Sequence, residues 1–157
     1  MSTASLESAL PAGVPLLLDS SVVLSYLAGN EAASPLAAHV IDALVQPGRN
    51  HATLSAVTAA EVLVRPFAVG GRAVAVGELF LRHFPNLDVA EVTYGIARGA
   101  ARLRAETRLP MADALILASA VALGLRHVVA NDDRWPAAVA AALPEISLCH
   151  LGDHLPL

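Results

Sequence analysis

The sequence predicts an α/β protein, a three-layer sandwich with a central parallel β-sheet. Two observations carry that expectation. Short apolar runs recur along the chain, among them "VPLLLD" (14–19), "HVVA" (127–130) and "ISLCHL" (146–151), each too short for a helix. Longer stretches with helical character lie between such runs. Strands that alternate with helices need crossover connections, and these cover both faces of a parallel sheet. The chain has 157 residues, 55% of them hydrophobic and only 15% charged, which fits one domain with a proper core and excludes the composition of a disordered chain.

The elements are expected in this order. Residues 1–13 read as a loose lead-in to a domain spanning 14–157. Residues 14–19 form a buried strand that ends on Asp19. "SSVVLSYLAG" (20–29) follows as a short helix, with serines capping its start and glycine at its end. Helices are expected over 35–46 and 56–65, with a strand near 51–54 between them. A further helix follows the glycines of 68–84, and "LDVAEV" (87–92) is a weak strand. Residues 93–108 and 111–124 are the best helices, followed by strands at 127–130 and 146–151. There are no repeats and no linker long enough to divide domains.

The composition excludes several chemistries. All ten basic residues are arginine, so a lysine-bearing phosphate loop, Schiff-base chemistry and a lysine general base are all ruled out. A net charge of −4 gives no global basic field to attract nucleic acid. The single cysteine, Cys149, forms no internal disulfide and supplies no zinc cluster. No apolar run reaches the roughly 18–20 residues of a spanning helix, and "MSTASLESAL" carries an acid and no base. A cytoplasmic protein with no membrane association is therefore expected.

The informative residues are acids. Ligands of open parallel sheets sit at the carboxyl ends of the strands, where Asp19 lies, and where Asp132 and Asp133 follow "HVVAN". Each of these could equally cap a helix or close a turn. Glu61 sits in an apolar helix, where an unpaired carboxylate is costly, and Arg65 four residues on is a possible partner. Asp113 opens a helix that is apolar almost all round, and an acid there also suits the helix dipole. Taken together, the four acids suggest a cluster. Carboxylates about 4 Å apart repel by roughly 4 kcal/mol at an effective dielectric of 20, so a shared site needs protons or cations. Oxygen donors without cysteine favour Mg²⁺ or Mn²⁺, ions suited to phosphodiester hydrolysis.

The stretches "LLLDSSVVLSYL", "LSAVTAAEVL", "LPMADALILASAVALG" and "VVANDDRW" run in the order and at the spacings of a known family. From about residue 15 to 148 the chain resembles PIN-domain ribonucleases, in particular the VapC-type toxins of toxin–antitoxin pairs. The resemblance implies a PIN-like fold and a Mg²⁺-dependent endoribonuclease, with Mn²⁺ as a possible substitute. Asp19, Glu61, Asp113 and Asp132 would be its metal-binding and catalytic acids, leaving a 5′-phosphate and a 3′-hydroxyl. Ser20 aligns with the hydroxyl residue after the first acid and Asn131 with the polar residue before the last. Asp133 is a supporting residue ranked below Asp132, and Trp135 matches an aromatic packing position. The implied partners are RNA, a second copy in a homodimer, and a small VapB-like antitoxin; the apolar helices beside the acids suggest that it docks near 22–29 and 59–65, with an arginine of its own reaching the acids.

Two other readings stand beside this one: a PIN-fold module that binds RNA or protein without cutting, and a housekeeping RNA-processing nuclease. A haloacid-dehalogenase-like site would need an acid at position 21, which is serine, and a response-regulator receiver would need a lysine. Of Arg98, Arg102, Arg104 and Arg108, which lie on the helix before Asp113, Arg102 and Arg104 are the candidates to contact phosphate. The six histidines are scattered, without metal-ligand spacing.

Overall fold

The computed structural model describes residues 3–155. Five parallel strands form one sheet: β1 (Leu16–Leu18), β2 (Ala52–Ser55), β3 (Leu87–Ala90), β4 (His127–Ala130) and β5 (Ser147–His150). Their order across the sheet is β3-β2-β1-β4-β5. β1 is therefore central, and the order reverses on either side of it. That reversal is where such sheets open a crevice beyond the strand ends. Leu16 pairs with both Ala52 and His127, and Leu18 with Val129.

The helices are α1 (Thr3–Ala9), α2 (Ser20–Ala28), α3 (Ser34–Ala38), α4 (Ala56–Val69), α5 (Arg72–His83), α6 (Tyr94–Thr107), α7 (Met111–Ala122) and α8 (Trp135–Ala142). Helix α3 widens into a π-helical stretch, His39–Val45, and a short 3₁₀ turn, Leu151–His154, follows β5. Successive strand residues point to opposite faces, which divides the core in two. Leu16, Leu18 and Val129 join one cluster with Val22, Leu36, Ile41, Val62 and Leu81. Leu17, Val128 and Ala130 join the other, with Ile96, Leu117 and Trp135. Helices α1 to α5 thus cover one face and α6 to α8 the other, giving the expected three-layer sandwich.

The ends of the chain correct the sequence expectation. The segment expected as a loose lead-in carries α1, and Leu6 and Leu10 are fully buried against the first core cluster. Three small residues, two serines and an acid made "TASLESA" look like a tail, and only the two leucines reveal its docking. Helix α8 was not expected either. Pro136 at its second position and a run of alanines hide its period, and Trp135 and Val139 anchor it. The helix expected after the glycines of 68–84 begins at Arg72, since Gly70 and Gly71 both adopt positive φ (80° and 57°) and break the chain there. Helix α4 instead runs on to Val69, through Pro66.

Candidate functional site

Asp19 leaves the carboxyl end of β1 and sits at the N-cap of α2, with extended backbone (φ −72°, ψ 158°). The serines were expected to cap this helix, but the aspartate does so. Its Oδ2 accepts the Ser21 backbone N–H at 3.1 Å and also the Ser21 hydroxyl. Ser20 donates to Oδ1 at 3.3 Å. The Asp19 backbone N–H is fixed in turn by the carbonyl of Val129 at 2.9 Å. Ser21 Oγ accepts the backbone N–H of Asn131 at 2.9 Å, so one hydroxyl ties the end of β1 to the end of β4. The sequence expectation passed over this joining role. It also assigned Asn131 by its side chain, whereas its main-chain N–H makes this contact.

Asp113 lies in the first turn of α7 and is 8% exposed, and Glu61 is half-buried on α4. Asp132 follows β4 and lies partly buried. The fold therefore brings four acids from separate elements to the carboxyl end of the sheet, close enough to feel one another's charge. Burial pushes the Asp19 carboxyl above its ordinary range, against hydrogen bonds from Ser21 and Ser20, and Glu61 pushes in the same direction. Asp113 is pushed up to about 6, first by burial and then by the negative charge of Asp19, while Arg134 pulls it down. Asp132 is held below the usual carboxylate range, chiefly by its hydrogen bond from Arg134.

Arg134 is the residue the sequence analysis missed. Its Nε donates to Asp132 Oδ1 at 2.9 Å, its Nη2 pairs with Asp132 Oδ2, and its backbone N–H also donates to Oδ1 at 2.9 Å. The same Nη2 lies 3.3 Å from Asp113 Oδ2, an ion pair without hydrogen-bond alignment. The sequence signal was available: a base two residues after an acid, at the mouth of a predicted acidic site.

The remaining candidates lie elsewhere. Asp133 is exposed and turns to His150, its Oδ1 3.3 Å from Nε2. Arg102 pairs with Glu106 on α6 at 3.0 Å, and Arg104 donates to the carbonyl of Leu109 at 2.7 Å. Neither touches the acids. No ion pair joins Glu61 to Arg65 among the described residues.

Among the described residues, no three His, Cys, Asp or Glu side chains stand ready as a metal cage. The donor set nevertheless fits a hard divalent cation. Glu61 Oε2 and Asp113 Oδ2 are buried without a hydrogen bond, and only Asp113 Oδ2 has a cation, Arg134, within 4 Å among the described residues; a buried carboxylate oxygen left so is costly unless a cation offsets it. Every donor is an oxygen, as Mg²⁺ and Mn²⁺ prefer.

The family model described as PIN domain matches residues 16–141, a span that includes all four acids. The chain belongs to the PIN domain family. Solved structures with this PIN fold include a toxin–antitoxin complex from Klebsiella pneumoniae (19% identity, TM-score 0.64, covering 87% of this chain and 97% of that one). The Mycobacterium tuberculosis toxin VapC20, described as cleaving the sarcin–ricin loop, is 17% identical with TM-score 0.64 over 78% of this chain and 94% of its own. VapBC-5 from the same organism is 25% identical with TM-score 0.56, over 89% of this chain and 98% of that one. No curated protein matches the chain. Among the described residues of this PIN domain, no helix is long and apolar enough to cross a membrane.

Proposed function

We propose that the chain is a Mg²⁺-dependent endoribonuclease and the toxin of a type II toxin–antitoxin pair. The observation that carries this reading is the convergence of Asp19, Glu61, Asp113 and Asp132 at the switch point of the sheet, with two of their buried oxygens lacking a hydrogen bond. Likeness of fold to complexes described as toxin–antitoxin pairs supports the second half.

Asp19, Glu61 and Asp113 would hold the divalent cation, with Asp132 completing the set. When bound, the ion supplies Lewis-acid stabilisation of the phosphate and lowers the pKa of an attacking water. The protein's own part is positional. Ser20 and Ser21 fix both oxygens of Asp19. The Ser21–Asn131 contact sets the spacing between the ends of β1 and β4. Burial and the neighbouring Asp19 charge push the metal-free Asp113 carboxyl up to about 6, a strain that a bound cation would relieve.

The antitoxin segment docks in the groove between α2 and α4. That groove, of about 310 Å³, is lined by Leu24, Leu27, Val62, Arg65, Pro66 and Val69. Leu24, Leu27 and Val69 are exposed along it, an apolar surface suited to an amphipathic helix. A homodimer is part of the same proposal.

One observation favours the alternative of a non-cutting PIN module: Arg134 already occupies two of the four acids. Expression in cells separates the two. Induction of the wild-type chain should arrest growth and generate new RNA ends bearing 5′-phosphate, and co-expression of a small antitoxin encoded beside it should prevent both. Normal growth with the folded chain accumulating, and no new RNA ends, would support the module.

A further inference from the structure

Arg134 occupies the N-cap position of α8. A cation is disfavoured there, because the helix dipole places its positive end at that point. The helix therefore gives no reason for a base at position 134, and the acids do. The side chain engages Asp132 through Nε and Nη2 and reaches Asp113 with the same Nη2, so one guanidinium bridges the loop after β4 and the first turn of α7. Among the described residues, neither Asp19 nor Glu61 has a basic partner, and Arg134 is the one base paired with any of the four acids. Its side chain is 57% exposed, so it can leave without unpacking the core.

We propose that Arg134 is a resident counter-cation of the acid cluster. It holds Asp113 and Asp132 together when no metal is bound, and it competes with a divalent cation for their oxygens. The proposal rests on the reading that this cluster binds a divalent cation. A planar guanidinium engages a carboxylate through two donors and cannot lose its charge near neutral pH, so only displacement frees the acids. Metal entry then requires the arginine to swing into solvent, and the apparent affinity for metal is lowered by that competition.

Mn²⁺ binding to the full chain tests this, measured by titration calorimetry or by the electron paramagnetic resonance of free Mn²⁺. Arg134→Gln should bind Mn²⁺ about tenfold more tightly than wild type, a factor chosen as one pair's electrostatic competition at a partly exposed site. Arg134→Lys keeps the charge and loses the fork, and should fall between them. Without metal, Arg134→Gln should melt below wild type at neutral pH, and its gain in melting temperature on adding Mn²⁺ should be larger. Mn²⁺ affinity in Arg134→Gln equal to or weaker than wild type would overturn the proposal while leaving the metal reading intact. Should the glutamine variant fail to fold, the lysine variant decides by the same comparison. Absence of Mn²⁺ binding to every form, at millimolar metal, would overturn the metal reading and this proposal with it.

Discussion

At the residue scale, Asp113 is the most informative side chain. Its folded-state pKa, about 6, lies above the ordinary carboxylate value of 3.8, so the folded protein holds the proton where the unfolded chain has lost it. Between about pH 4 and pH 6 the native state binds more protons, and stability falls as pH rises through that window. Above it the penalty is complete. Asp113→Asn should remove this slope and make the metal-free protein more stable at pH 7, by on the order of 1–2 kcal/mol, since part of the gain is offset by the lost Arg134 pair. Chemical denaturation of both forms across pH 4–8 checks it. A second prediction separates neighbours: Asp132→Asn should cut RNA cleavage far more than Asp133→Asn, because Asp133 is exposed and faces His150 rather than the acids. Matched rates for the two variants are the check. The four acids were legible because apolar surroundings make a carboxylate conspicuous. The role of Ser21 was not, since it depends on β1 and β4 being neighbours, and a contact across 110 residues leaves no local pattern, whereas Arg134 left a local signal in its place two residues after Asp132.

At the element scale, the sheet and the long helices were readable from apolar runs and caps, while α1 and α8 were hidden in alanine and serine. Both carry weight. Trp135 is fully buried, and Trp135→Ala should cost about 3–5 kcal/mol of stability. Its indole N–H has no hydrogen-bond partner among the described groups, so Trp135→Phe should cost clearly less. Leu6→Ala should cost about 2–5 kcal/mol, which a loose tail would not. Urea midpoints measure all three. On α4, Val69 lines the groove and is 72% exposed. Val69→Ala should leave stability nearly unchanged and weaken binding of the proposed antitoxin severalfold, read by calorimetric titration against a small antitoxin encoded alongside.

For the whole molecule, the order β3-β2-β1-β4-β5 does the decisive work. It sets Asp19 at the centre and brings the turn after β4 beside it, so acids from distant parts of the chain, such as Asp19 and Asp113, act on one another. A cation that binds only this folded arrangement should raise the melting temperature by mass action, and the gain should shrink in each acid-to-amide variant. The central claim is that these carboxylates run a metal-dependent cleavage of RNA. It is tested most directly by incubating the purified wild-type chain and Asp113→Asn with a panel of structured RNAs, each in Mg²⁺ and in EDTA. Cleavage by the wild type in Mg²⁺ alone, leaving 5′-phosphate ends and falling at least about a hundredfold in Asp113→Asn, is the predicted result. Cutting that persists in EDTA or at full rate in Asp113→Asn, or no cutting of any RNA in Mg²⁺, would contradict it.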